Sequence, residues 1–249
     1  MPRLYKNLTR IFVENNLKIN TEIELAKEPS NHLINVLRKK TGDEIIIFNG
    51  VNGAWLANII TAKKNKTTIM VVKQIAEQPP SSDIWYGFAP LKKARLDYMI
   101  QKATEMGVAY IQPVFTQYTQ VNKLKTDKLK TYMLEAAQQC EILSLPEIEP
   151  SIKLKDLLEN WQKTHGERVL ILADETKKPT SPITILETLK DKKLGLLIGP
   201  EGGFSDEELK LLHKQNFVVP ISLGKNILRA DTAAVAALAF IQAIIVKLR

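Results

Sequence analysis

Three short segments in the last third of this 249-residue chain hold the residues best suited to chemistry: Asp174-Glu175-Thr176, Gly199-Pro200-Glu201-Gly202-Gly203, and Gly224-Lys225-Asn226-Ile227-Leu228-Arg229-Ala230-Asp231. Each follows an apolar run that reads as a strand, over 169–173, 194–198 and 218–223. In open α/β sheets ligands bind outside the carboxyl ends of the strands, so three such loops at matching places would form one pocket. The glycine loop is not a phosphate loop. It lacks Gly-x4-Gly-Lys-Ser/Thr and Gly-x-Gly-x-x-Gly, and the Glu201 carboxylate would repel a phosphate. A rigid proline followed by two glycines lets another backbone approach closely. An apolar wall with backbone donors and acceptors suits adenine or another neutral heterocycle, and a carboxylate suits a cationic ligand. The same string also fits a tight strand-to-helix turn with Glu201 solvated.

A second group of residues is basic. Lys92, Lys93 and Arg95 lie between a strand and a helix, where positive charge opposes the helix dipole, so an outside anion explains them better than local stability does. His32, Arg38, Lys39 and Lys40 lie on or beside an N-terminal helix, where helix capping and anion binding are compatible roles. The formal net charge of +8 is distributed unevenly: residues 1–80 carry 12 basic and 7 acidic residues, 81–135 carry 8 and 5, and 136–249 carry 15 of each. A surplus confined to one part of a chain points to a polyanion such as nucleic acid, or to a lysine-rich solubilising surface. Cys140, the single cysteine, excludes an internal disulfide and a multi-cysteine zinc site, and beside Glu141 it reads as a buried structural residue. The scattered histidines His32, His165 and His213 give a metal little to bind, and the last two read as surface residues.

The elements that must position these residues fall into two textures. The first 75 or so residues carry β-rich runs at 8–13, 45–48 and 67–72, with Asn49-Gly50 and Asn52-Gly53 as hairpin turns. One helix interrupts them, capped by Ser30-Asn31, with Leu33, Val36 and Leu37 on its apolar face and Gly42 as its stop. This predicts a small β-barrel. Gln78-Pro79-Pro80-Ser81-Ser82 breaks both periodicities and is the best domain boundary. Beyond it strands at 84–89, 110–115, 169–173, 194–198 and 218–223 alternate with helices at 95–106, 125–142, 183–189 and 205–213, and with an Ala-rich helix capped by Asp231-Thr232 and running to 246. The continuous apolar runs predict a parallel sheet buried on both faces, and Pro220 predicts an edge strand. The start, 1–6, lacks the apolar core of a signal peptide, and 233–246 is shorter than the ~20 residues of a membrane span. Both predict a cytoplasmic protein.

Several ordered strings together resemble the RsmE family of small-subunit ribosomal RNA methyltransferases, in the SPOUT superfamily. They are Leu196 to Ser205 (LLIGPEGGFS), Leu223 to Ala233 (LGKNILRADTA), Ile100 to Val108, Pro146-Glu147-Ile148, and Asn31 to Arg38. The resemblance implies a PUA-like, RNA-binding β-barrel over 1–76. Over 77–249 it implies an α/β knotted methyltransferase domain with a deep C-terminal trefoil knot. It further implies S-adenosylmethionine as methyl donor, no metal, and methylation of uridine N3 in 16S rRNA. The partner would be the assembled small ribosomal subunit, and the enzyme a homodimer. The donor site would comprise Leu172, Ala173, Asp174, Glu175, Ile198, Gly199, Pro200, Gly202, Gly203, Ser222, Leu223, Gly224, Ile227, Leu228, Thr232 and Ala233. Arg229 and Glu201 would be catalytic, and His32, Arg38, Lys39, Lys40, Lys92, Lys93 and Arg95 would contact RNA. Two places depart from the family pattern. Gln138-Gln139 and Ile142 stand where Glu-Gln and an Arg are usual, and Lys225-Asn226 where Pro-Arg is usual. These lost charges keep open a non-catalytic RNA-binding or assembly factor with the same fold.

Overall fold

The computed structural model describes residues 5, 7–121, 124–176 and 181–245, and of Lys93 only the backbone. The chain divides into two compact units, Met1–Ser81 with Leu134–Leu145, and Ser82–Met133 with Pro146–Arg249.

The first unit holds β1 (Arg10–Phe12), β2 (Glu22–Glu24), β3 (Glu44–Phe48), β4 (Ala54–Thr61) and β5 (Thr68–Ala76) in one sheet of order β1-β3-β4-β5-β2. β1 runs parallel to β3, and the other pairs are antiparallel. Period-two alternation explains the two cores. Ile45, Ile47, Ile59, Ile69 and Val71 face one side together with Ile11, Ile23 and Leu33. Ile46, Phe48 and Ala54 face the other with Ala137 and Leu143. The run 45–48 is continuously apolar because both of its faces are covered. Residues from the two outer strands enter one core, as in a barrel, but the ladder ends at β1 and β2 without closing among the described residues.

The helical piece differs from expectation. It starts earlier, as α1 (Lys27–Asn31), with Ala26 at its cap and Pro29 in the first turn, where a missing N–H costs little. Ser30 is buried rather than capping. Its hydroxyl donates to the Leu25 carbonyl (3.1 Å) and accepts the Thr67 amide (3.0 Å). The next turn, His32–Val36, is π-helical, closed by Leu37 N–H on the His32 carbonyl at 3.0 Å. That wider turn breaks the 3–4 spacing, so Leu33 is buried while Val36 and Leu37 face solvent. The segment 134–145 supplies Glu141, paired with Arg10 at 2.7 Å, and Gln138, which accepts the Phe12 amide at 3.3 Å. Cys140 is exposed, not buried, because the chain has already left the helix there.

The second unit is an all-parallel sheet. It contains β6 (Trp85–Phe88), β7 (Tyr110–Phe115), β8 (Glu147–Ile148), β9 (Ile152–Lys153), β10 (Val169–Ala173), β11 (Leu194–Ile198) and β12 (Val218–Ile221). The order is β12-β10-β11-β6-β7-β8, with β9 also on β7. β11 thus inserts between β10 and β6, and β12 then returns to the outer side of β10 as an edge strand, which accommodates Pro220. The helices are α2 (Lys93–Glu105), α3 (Thr126–Gln139), α4 (Leu154–His165), α5 (Pro182–Glu187), α6 (Asp206–His213) and α7 (Ala230–Ile245). One face of the sheet packs Trp85, Leu170, Leu172 and Leu197 on Leu157, Trp161 and Leu212. The Trp85 ring lies across Gly87, where an added Cβ would sit 2.2 Å from it, and beside Gly195 at 3.1 Å. At the amino ends of the strands, Arg168 binds the Leu194 carbonyl (3.0 Å), the Asp83 carbonyl and the Asp83 carboxylate (2.6 Å). α7 packs against α2 and α5. It begins at Ala230, so Asp231 lies within its first turn and accepts the Thr232 amide instead of capping from outside. Val246, its expected end, is outside the described residues.

Candidate functional site

The carboxyl ends of β10, β11 and β12 are adjacent in the sheet, so the loops 173–176, 198–206 and 222–230 converge on one cleft of about 490 Å³. That size lies within the usual range for small-ligand sites. Its apolar lining comes from Ile198, Pro200, Leu223, Leu228 and Ala233. The structure places Ala173, Asp174, Glu175, Gly199, Gly202, Gly203, Ser222, Gly224 and Ile227 there too, together with Glu201 and Arg229. Two expected residues are not in the lining. Leu172 is fully buried in the core, because strand alternation points it into the helix-covered face. Thr232 falls on the exposed side of the first turn of α7.

The glycine loop is shaped by its neighbours. Gly203 has φ 71°, a conformation that disfavours side chains, and a Cβ on Gly202 would lie 3.3 Å from Tyr118. The loop feeds directly into α6 through a complete capping box. The Ser205 hydroxyl accepts the Glu208 amide and Glu208 accepts the Ser205 amide. Glu208 also accepts the Gln117 amide at 2.8 Å, tying in the loop after β7.

Two acidic groups of the cleft are paired. Glu201 accepts from Arg95 at 3.0 Å, so a guanidinium expected to contact RNA also lines the cleft and holds the expected catalytic carboxylate. Asp174 has a buried carboxyl. Burial alone would raise its pKa, but donation from the Thr176 hydroxyl (2.7 Å) and amide (2.9 Å) and from His213 Nε2 (2.8 Å) outweighs this and holds it below the ordinary carboxylate range. Glu175, Lys225 and Arg229 form no ion pair among the described residues, and Glu175 and Arg229 are exposed.

Of the basic residues, His32, Arg38 and Lys40 are exposed and Lys39 half-exposed, in and just beyond the π-helical turn, where Arg38 takes φ 54°. Lys92 is the exposed N-cap of α2, a helix without an acid in its first turn. Lys93 begins that helix, and its side chain lies outside the described residues. Sequence reasoning missed His213, Arg95 as a cleft residue, and Tyr118. His213 is 39 positions from Asp174 and gives no local signal. No group of three or more His, Cys, Asp or Glu suited to a metal occurs among the described residues, and no described helix is long and apolar enough to cross a membrane.

Residues 77–242 match the RNA methyltransferase domain and residues 25–69 the RNA methyltransferase PUA domain, which sets the class of protein. The ribosomal RNA small subunit methyltransferase E of Rickettsia conorii is 34% identical over 92% of this chain and 93% of its own length. That of Buchnera aphidicola from Schizaphis graminum is 32% identical over 95% and 96%. A Legionella pneumophila methyltransferase solved with bound S-adenosylmethionine has a TM-score of 0.81 and 30% identity, covering 95% of this chain and 98% of that one. The chain belongs to the ribosomal RNA small subunit methyltransferase E family.

Proposed function

We propose that this chain transfers a methyl group from S-adenosylmethionine to uridine N3 in the 16S rRNA of the small subunit. The observation that carries this reading is the three-loop cleft, whose lining leaves Glu175 and Arg229 without an ion pair among the described residues. The fit is chemical as well as volumetric. Ile198, Leu223 and Leu228 offer walls for a purine, the glycine loop leaves backbone groups open, and Glu175 suits a cation. When bound, S-adenosylmethionine supplies a methyl group made electrophilic by its positive sulfur. The chain's residues then have two tasks. The loops 173–176, 199–203 and 222–228 fix the orientation of the donor, and alignment of this kind can lower a barrier by about 7–11 kcal/mol in favourable cases. Arg229 would stabilise the negative charge that grows on the uracil carbonyl oxygens as N3 gives its proton to solvent water. Glu201, steadied by Arg95, orients ligand or substrate.

The first unit, with His32, Arg38, Lys39 and Lys40 in solvent, supplies phosphate contacts, and Lys92 and Lys93 add to them. The insertion of β11 between β10 and β6, followed by the return to β12, supports a knotted threading of the two loops. A cytoplasmic homodimer acting on assembled subunits completes the reading, and light scattering tests the dimer. The rival, a non-catalytic RNA-binding factor, loses ground at Gln138. That residue, where a charge is missing, is used as an acceptor for the Phe12 amide and therefore has a structural role.

The test is calorimetry with S-adenosylmethionine, followed by methyl transfer to small subunits. Arg229→Ala should lower turnover about 10²–10³-fold, the usual loss for one charge-stabilising donor, with donor affinity nearly unchanged. Unchanged turnover removes Arg229 from the mechanism. A wild-type chain that binds RNA but not the donor overturns the enzyme reading.

A further inference from the structure

We infer that His213 is a positioning residue for the donor site, acting through Asp174 on the loop that carries Glu175. The inference rests on the donor-binding reading of the cleft. Asp174 lines that cleft, yet its carboxylate is 1% exposed and both oxygens are taken: Oδ1 by the Thr176 amide and hydroxyl, Oδ2 by His213 Nε2. It therefore cannot serve a ligand directly. Held below the ordinary carboxylate range, it is ionised and accepts only, so His213 must present an N–H at Nε2. Two of its three partners belong to its own turn. His213 reaches it from another element, α6, while the Asp174 amide bonds the Ile221 carbonyl of β12 at 3.0 Å. The turn is thus pinned to the sheet through its backbone and to α6 through His213.

The consequence concerns Glu175. Its Oε1 lies 3.6 Å from where a side chain on Gly203 would begin, so it leans toward the glycine loop. α6 starts at the end of that loop in the Ser205 capping box. One short helix therefore fixes the glycine loop at its first residue and the 174–176 turn at its last. Removing His213 leaves a buried carboxylate short of a donor, and the turn can satisfy it only by moving toward water. Binding is then weakened by the fraction of molecules that keep the competent turn.

The experiment compares His213→Ala, His213→Gln and wild type in the full chain. It uses calorimetry with S-adenosylmethionine and turnover on small subunits at saturating donor. We expect His213→Ala to weaken donor binding about tenfold, as for a turn competent in roughly one molecule in ten, with turnover at saturation little changed. The glutamine amide can donate the same hydrogen bond and should restore most of the affinity. Glu175→Gln should cost less in the His213→Ala background than in wild type, because the two act through one turn. If His213→Ala does not fold, Thr176→Val removes another donor of the same carboxylate and should weaken donor binding in the same way. Wild-type affinity in His213→Ala, or in the folded Thr176→Val, overturns the inference. Failure of the wild type to bind the donor overturns instead the reading beneath it.

Discussion

His165 offers the sharpest quantitative test of the second unit. Its ring packs 4.3 Å from Trp161 and 5.3 Å from Trp85, and Arg168 lies close by. Burial among the indoles, and then repulsion by the guanidinium, bring its pKa from an ordinary 6.5 down to about 4. Between those two values the unfolded chain binds a proton that the folded chain refuses. The contribution to stability is therefore complete above the unfolded value and is lost as pH falls through the window. The full gap would be worth about 3.4 kcal/mol, and at pH 5 about 2 kcal/mol. Partial exposure of the ring screens this to about 1 kcal/mol. The perturbation is His165→Phe, which keeps an aromatic ring and removes the titration. The assay is urea unfolding at pH 7 and pH 5 in a Trp55→Phe background, so that fluorescence reports on Trp85 and Trp161. Going to pH 5, the parent should lose about 1 kcal/mol more than the variant. His32 and His213 are present in both chains and cancel. Equal losses in the two would refute the reasoning.

Three further outcomes follow from geometry. Gly87→Ala drives a methyl into the Trp85 ring, 2.2 Å from its nearest atom, and should destabilise the second unit by at least about 2 kcal/mol in thermal or urea melts. Ser30→Ala removes the partner of the buried Thr67 amide and should cost the first unit about 1–3 kcal/mol, whereas loss of a mere surface hydroxyl would cost almost nothing. A double-mutant cycle on Arg95 and Glu201, both part-exposed, should give a coupling of only about 0–1 kcal/mol in stability. A coupling several times larger would mean the pair is desolvated.

How far the sequence disclosed the fold depended on whether a segment's environment was uniform. The runs 169–173, 194–198 and 110–115 matched their strands to the residue, since both faces are buried and hydrophobicity has sharp ends. β8 and β9, two residues each, are too short for any periodicity. Ser30 was misread because a serine before an apolar stretch serves equally as a cap or as an internal acceptor, and only tertiary structure decides. Val36 and Leu37 were misplaced by a π-turn that no local pattern announces. In the site, the three loops were legible from glycine and charge at strand ends. The pairings Arg95–Glu201 and Asp174–His213 were not, because they join residues 106 and 39 positions apart.

Those pairings decide which charge in the cleft remains for a ligand. Asp174 is consumed by Thr176 and His213, and Glu201 is balanced by Arg95. Glu175 and Asp206 are then the lining carboxylates left without an ion pair among the described residues, and Glu175 leans toward the glycine loop. A free carboxylate leaning into the cleft favours positive charge on the part of a ligand beside it, and methyl transfer turns a positive sulfur into a neutral thioether. Glu175 should therefore hold the donor more tightly than the demethylated product, by about 1 kcal/mol for an exposed pair near 4 Å, or roughly fivefold in affinity. Glu175→Gln should bring the two affinities together by weakening donor binding while leaving the product almost unaffected, measured by calorimetry with each in turn. If both ligands weaken equally, Glu175 binds a part of the molecule that they share, and the electrostatic account of donor preference is wrong.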